Sequence, residues 1–171
     1  PKLYSKNIAF FCPAVYPCVT GGLEINTYYL INAISKQVKV SVFTECDKLQ
    51  TPNIIRYKIY SRLFLIRRYN LAAISYLLCL VYYLIKSDIK IDVFHVNLTD
   101  NAGEMGLIFP IIKLLFNIDY ILVLHGGGPL KPWGVISLNS FLFKHAKRII
   151  AVSENMKQKY MQHLNRQIDV I

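Results

Sequence analysis

Acidic residues and cysteines are scarce in this sequence, and no apolar run in it reaches the length of a membrane span. It holds 10 Asp and Glu against 20 Lys and Arg, a formal net charge of +10, and 54% of its 171 residues are hydrophobic. That content excludes a disordered tail, a collagen-like repeat and a small disulfide-stapled module. A chain of about 150 residues buries roughly two-thirds of its unfolded surface, so we expect one domain with a sizeable core.

The four cysteines form no C-x-x-C pair, which argues against thioredoxin-like chemistry and against a metal site. They are Cys12, Cys18, Cys46 and Cys79. Their spacing leaves disulfides open, but the apolar surroundings of three of them favour reduced, buried thiols. We therefore expect a reducing, cytoplasmic compartment. The first residues contain no charged stretch that leads into an apolar core, so we also expect no signal peptide.

The longest apolar run, Leu71 to Ile85, has Ser75 as its single polar interruption. Crossing a bilayer takes about 20 apolar residues, so this run predicts a helix that is covered on both sides or lies at a membrane surface. Around it, residues 51–90 hold seven basic and one acidic side chain. Arg62, Arg67 and Arg68 therefore predict a surface for anionic lipid headgroups, with a solvated basic face as the alternative. Nucleic acid ranks below lipid because no recognised binding motif accompanies the charge.

Strand-like and helix-like segments alternate along the chain. The expected strands are Asn7–Cys12, Lys39–Thr44, Ile54–Ile59, Asp92–Asn97, Tyr120–His125, Arg148–Val152 and Ile168–Ile171. The expected helices are Leu23–Ser35, Asn70 to about Ser87, Asn101–Phe116 with a kink or restart at Pro110, Ser137–His145, and one from the N-cap Ser153 to about His163. Apolar strands separated by helices predict an α/β fold, a doubly wound, parallel, Rossmann-like sheet in a single domain, with ligands at the carboxyl ends of the strands.

Gly21, Gly22 and Glu24 follow the first strand at the start of a helix. Free backbone N–H groups and the positive end of the helix dipole suit a phosphate there, and glycine lets a ligand approach the backbone. A tight turn that feeds the helix is the alternative. The segment is not G-x-G-x-x-G, which argues against a nicotinamide cofactor.

His125 is followed by three glycines, of which Gly126 and Gly127 are the nearest, at the end of the most apolar strand. An H-G-G-G sequence can form the oxyanion hole of an esterase, but that fold needs a G-x-S-x-G elbow, and the sequence has none. A structural histidine is the alternative, although a strand does not need three glycines after it. Polar residues follow other strands and could touch a ligand or cap a helix: Asn97, Asp100, Ser153 and Glu154.

In this order and spacing, the segments resemble the N-terminal domain of family 4 glycosyltransferases, retaining enzymes with two facing Rossmann-like domains. The matching stretches are KNIAFFCPAVYPCVTGGLEINTYYLINAISKQVKVSVFT, DVFHVN, ILVLHGGGP and AKRIIAVSENMKQKY. The resemblance runs from about Lys6 to the last residue, and residues 45–90 match only in general plan.

The resemblance implies a role for each matching position. Gly21 and Gly22 would approach the donor diphosphate, and Glu24 would lie near the acceptor and phosphate region. His125 would lie against the donor sugar and act by positioning or electrostatic stabilisation rather than as a nucleophile. Asn97, Gly126, Gly127 and Ser153 are further candidate substrate-binding positions. The family generally needs no metal ion, and we expect no cofactor besides the nucleotide sugar substrate.

The expected function is transfer of a sugar from a nucleotide diphosphate sugar to an acceptor hydroxyl, in the synthesis of envelope polysaccharide or glycolipid. The partners would be the donor, a glycan or lipid-linked acceptor and an anionic membrane surface at the inner face of the plasma membrane. We expect residues 1–171 to be the acceptor-side half of a larger enzyme, inactive without a C-terminal donor-binding domain. The alternative is a non-catalytic Rossmann-like binding module with a basic, membrane-facing surface.

Overall fold

A computed structural model describes residues 6–61, 72–87, 90–98, 107–125, 141–162 and 164–171. The strands are β1 (Asn7–Phe11), β2 (Lys39–Thr44), β3 (Ile54–Lys58), β4 (Val93–Leu98), β5 (Asp119–Leu124), β6 (Arg148–Ala151) and β7 (Asp169–Val170). The helices are α1 (Gly22–Ile34), α2 (Ala72–Lys86), α3 (Ile108–Phe116) and α4 (Glu154–Met161), and residues 141–145 are also helical. The chain divides into two compact units, Pro1–Phe94 and His95–Ile171, and β4 crosses the boundary.

The strands form one seven-stranded sheet in the order β3-β2-β1-β4-β5-β6-β7. In the first unit, β1 pairs in parallel with β2, and β2 pairs in parallel with β3. In the second unit, β5 pairs in parallel with β6, and β6 with β7. The prediction of a Rossmann-like α/β fold with a parallel sheet is confirmed.

The core of the first unit lies where α1 packs on β1 and β2. Its fully covered members include Phe10 of β1, Ile31 of α1 and Val42 of β2. These strands are buried on both faces, which explains why they read as near-continuous apolar runs rather than as alternating ones.

Helix α2 packs one face against the same unit. Tyr76 sets its ring edge-on to Phe11 at 5.5 Å between centroids, and its hydroxyl donates to Oε1 of Glu45 at 3.2 Å. The same carboxylate oxygen accepts the main-chain N–H of Ser61. One acidic side chain therefore joins α2 to the loops that follow β2 and β3.

In the second unit, two side chains fasten the helical residues 141–145. The buried Tyr120 hydroxyl donates to the Leu142 carbonyl at 2.6 Å. The Arg166 guanidinium donates to the carbonyls of Phe143, Lys144 and Ala146 at 2.7–3.1 Å. Helix C-termini leave four carbonyls without an intrahelical donor, and Arg166 supplies donors at this one.

The expected element bounds agree with the observed ones to within two residues wherever both ends are described. Pro110 is the third residue of α3, where its missing N–H leaves no helical bond unmade. Its predicted kink or restart of a helix from Asn101 stays a prediction, because residues 101–106 lie outside the described residues. Asn117 ends that helix in the left-handed conformation, at φ 54°. The expected cap at Asn101 and residues 137–140 of the next helix lie outside the described residues.

The prediction of reduced cysteines is wrong for one pair. Cys18 and Cys46, 28 positions apart, form a disulfide, whereas Cys12 and Cys79 are buried free thiols. Spacing could not reveal the pair, because the half-cystines meet only when the loops after the neighbouring strands β1 and β2 come together. Burial raises the pKa of Cys12 to about 12, so that thiol stays protonated and unreactive.

We predict that the disulfide stabilises the fold. Closing a loop of this length corresponds to about 3.6 kcal/mol of unfolding free energy in the chain-entropy treatment. Urea unfolding followed by circular dichroism should therefore show a lower midpoint when a phosphine reductant is added. A Cys18→Ser/Cys46→Ser variant is the control, because its midpoint should not respond to the reductant. An equal midpoint for the wild-type chain with and without reductant would show that the bond does not form in solution.

Candidate functional site

The Gly21-Gly22 segment begins α1, with Gly21 as its N-cap. Gly21 has an extended backbone that any residue could adopt, so conformation does not explain the glycine. A Cβ on Gly21 would meet the carboxylate of Glu24, the far end of a flexible side chain that can move aside, so space does not require glycine there either. A Cβ on Gly22 would meet nothing within 4 Å, so the space beside the first turn is open.

The loop before Gly21 is held against the end of β2. Cys12 N donates to the Phe43 carbonyl at 3.0 Å, and Glu45 N donates to the Pro13 carbonyl at 3.1 Å. The disulfide adds a covalent tie from Cys18, three residues before Gly21, to Cys46. The start of α1 is therefore held in place both by the loop that precedes it and by the packing of the helix itself.

The strand β4 presents two chemically different faces. Phe94, Val96 and Leu98 are buried, whereas the alternate residues are only partly buried. Two of those alternate residues, His95 and Asn97, are polar. Because side chains alternate along a strand, both lie on the same face of β4.

His125 comes directly after β5 and meets the end of β4. Its main-chain N–H donates to the Leu98 carbonyl at 2.8 Å, and its Nε2 lies 3.2 Å from Oδ1 of Asn97. Two of the predicted site residues, 28 positions apart, are therefore in hydrogen-bond contact.

This contact determines where His125 carries its proton. An amide oxygen can only accept, so Nε2–H is the donor and the neutral ring keeps its lone pair on Nδ1. Burial lowers the pKa of His125 below its usual value of 6.5, so the imidazole is uncharged at neutral pH. An uncharged ring can accept a hydrogen bond from a ligand hydroxyl and cannot supply a positive charge.

His95, which lies on the same face of β4, is not among the site residues predicted from the sequence. Burial is the main reason why the pKa of His95 falls to about 4, and the charge of a protonated His125 lowers it further. A protonated His125 is thus close enough to oppose the protonation of His95. The signal in the sequence was the period of two in DVFHVN, which places His95 beside Asn97.

Ser153 acts as the predicted N-cap, because its hydroxyl accepts the main-chain N–H of Met156 at 3.3 Å. Its ligand role stays a prediction. Gly126 and Gly127 lie outside the described residues, as do Arg62, Arg67 and Arg68. Among the residues that the structure describes, no group of three or more His, Cys, Asp or Glu side chains could hold a metal ion.

The sequence profile of Glycosyltransferase Family 4 matches residues 20–171. The chain belongs to this family. The match begins immediately before Gly21 and includes every predicted site residue, and it places the protein in the glycosyltransferase class. No curated protein matches the chain. None of the helices in the described part of this glycosyltransferase has the length and apolar content that crossing a bilayer requires.

We predict that Asn97→Asp raises the pKa of His125. A carboxylate within hydrogen-bond reach favours the charged imidazole, typically by one to three pKa units (roughly) in close pairs. The imidazole C–H signals in a two-dimensional NMR titration would report the change. Asn97→Ala is the control, because it removes the acceptor without adding charge and should leave the pKa below that of the Asp variant. Equal His125 titration curves in the two variants would contradict the contact.

Proposed function

We propose that this family 4 glycosyltransferase transfers a hexose or related sugar from a nucleotide diphosphate sugar to an acceptor hydroxyl, with retention at the anomeric carbon. The bond between the anomeric carbon and the diphosphate oxygen breaks, and a bond to the acceptor oxygen forms on the same face. The nucleoside diphosphate leaves with the bonding electrons, and its departing oxygen takes up the proton that the acceptor hydroxyl loses.

The observation that carries the proposal is the neutral His125 held by Asn97 at the carboxyl end of β5. Ligands of open parallel sheets bind at this end of the strands. Glycosyl transfer builds positive charge on the sugar ring in the transition state. The lone pair of an uncharged imidazole favours such charge, whereas an imidazolium would oppose it, so the lowered pKa suits the reaction.

The start of α1 is proposed as a contact for the donor diphosphate. The open space beside Gly22 gives an anion access to the first main-chain N–H groups of the helix, where the helix dipole also attracts negative charge. Glu24, whose carboxylate lies against Gly21, would turn away or face the acceptor hydroxyl when a phosphate approaches.

The proposal includes a second, donor-binding domain, as the family resemblance implies. Without that second domain, the domain described here should bind donor weakly and transfer nothing.

The acceptor would be a glycan or a lipid-linked intermediate of envelope polysaccharide or glycolipid synthesis, and no metal or cofactor would take part. The proposed site of action is the cytoplasm. The Cys18–Cys46 disulfide counts against that compartment, because disulfides are rare in the cytosol.

The second candidate is a non-catalytic binding module with the same fold. The basic composition fits this module as well as it fits an enzyme, since a net charge of +10 suits an anionic surface with or without catalysis. The module would bind a ligand but show no turnover, so a measurement of turnover distinguishes it from a transferase.

We predict that His125→Ala lowers the rate of transfer by the full-length protein at least about 100-fold, because one preorganised polar group at a reacting centre is typically worth that much. Release of nucleoside diphosphate from a panel of UDP- and GDP-hexoses would measure it. The wild-type rate should fall as acidification protonates His125, at a pH below the usual histidine pKa because burial lowers the pKa of this ring. His145→Ala, a histidine at the end of residues 141–145, is the control and should keep the rate. Full activity in His125→Ala would exclude the proposed role.

A separate prediction concerns Gly22. Replacing it with alanine should raise the free energy of unfolding by up to about 1 kcal/mol, because glycine is a poor helix former. If a diphosphate approaches this position, the added methyl group should at the same time weaken binding of UDP or GDP severalfold in titration calorimetry.

The exposed Asn26, one turn further along α1, provides the matched control. Asn26→Ala should also stabilise the helix but leave nucleotide binding unchanged. If Gly22→Ala gains stability and binds as the wild type does, the segment is only a turn that feeds a helix.

A further inference from the structure

We propose that the outer face of α2 docks on an anionic lipid bilayer. The face is formed by Ile74, Leu78, Tyr82 and Ile85, which we call the outer stripe. These side chains are between 52% and 72% exposed. At about 100° per residue they fall within an arc of about 80°, so they form one continuous strip along the helix.

The opposite face of α2 is committed to the fold. Ser75, Tyr76, Cys79 and Leu80 are buried against the first unit. Tyr76 contacts both Phe11 and Glu45, so the helix cannot roll to cover the outer stripe without losing these contacts. A surface helix normally turns polar residues to water, and a patch of large apolar side chains in their place marks an interaction site.

Polar groups at the end of the outer stripe suit a lipid interface. The Lys86 ammonium lies 2.7 Å from the Tyr82 hydroxyl and 5.2 Å from the centre of its ring. Tyrosine and lysine place an apolar body in the acyl region and a polar tip among the headgroups. The helix is about 22 Å long at 1.5 Å per residue, less than the hydrocarbon core of about 30 Å, so it would lie in the surface.

The net charge of the chain favours an anionic bilayer, rather than a second copy of the chain, as the partner of the outer stripe. The chain carries a net charge of +10, and residues 51–90 hold seven basic side chains against one acidic one. An anionic bilayer attracts a chain of this net charge, and each basic residue that lies near the bilayer strengthens binding. A second copy of the chain would bring the same positive charge to the contact, which disfavours self-association through this face.

The test is co-sedimentation of the full chain with vesicles of phosphatidylcholine alone or mixed with phosphatidylglycerol. Binding should require phosphatidylglycerol and weaken between 0.05 M and 0.5 M salt. The variant Leu78→Glu/Ile85→Glu should bind at least about tenfold more weakly, because it removes two apolar anchors from the outer stripe. Both positions are exposed, so the variant should unfold at the wild-type temperature.

The matched control is Leu114→Glu/Leu115→Glu on α3, which changes the net charge equally at exposed leucines. Its vesicle binding should weaken by less than about threefold, which is the loss expected from the change of charge alone. Equal losses in the two variants, or no binding of the wild-type chain to phosphatidylglycerol vesicles, would overturn the proposal. A dimer that Leu78→Glu/Ile85→Glu converts to a monomer would assign the face to a second copy instead. None of these measurements requires a sugar donor, so their failure and that of the transferase proposal are distinguishable.

Discussion

The candidate catalytic site depends on one main-chain hydrogen bond, from His125 N to the Leu98 carbonyl at 2.8 Å. It brings the residue after β5 level with the end of β4, and the side chains of His125 and Asn97 meet as a result. The geometry of the site is therefore a by-product of strand pairing. One face of β4 is fully buried, and the strand resists slipping by one residue because a slip would move its buried apolar side chains to the other face.

The same burial explains the electrostatics. Imidazoles beside packed apolar strands lose water, and the charged form of each ring becomes unfavourable. The imidazole of His95 loses more of its hydration than that of a surface histidine would. Its pKa of about 4 keeps it neutral beside His125. Two uncharged imidazoles and an amide give this face of β4 hydrogen-bonding capacity without a net charge. A neutral, polar surface of this kind suits sugar hydroxyls better than it suits phosphates.

Most of the fold could be predicted from the sequence because its apolar residues follow the periods of strand and helix closely. Lys39–Thr44 agrees with the observed strand at both ends. The disulfide could not be predicted, since it depends on the meeting of two loops. His125 and Asn97 were identified as candidates from their places after strands, but their contact follows from register, which the sequence does not display. His95 was missed because a histidine inside a strand carries no turn or glycine signal, unlike His125.

Helix α2 shows why a run of apolar residues is ambiguous when read alone. One side packs as a core helix would, and the other faces solvent with residues of the same type. Composition is uniform around the helix, so the difference arises from where Tyr76 and Glu45 fasten it.

The oxidation state of the four cysteines has a practical consequence for the chemist. Cys18 and Cys46 are bonded to each other, and the thiols of Cys12 and Cys79 are buried, with burial raising the pKa of both. The folded, oxidised chain therefore presents no reactive thiolate of its own. A maleimide dye would therefore label a single cysteine introduced at an exposed helix position and would not react with the natural cysteines. These need not be removed first.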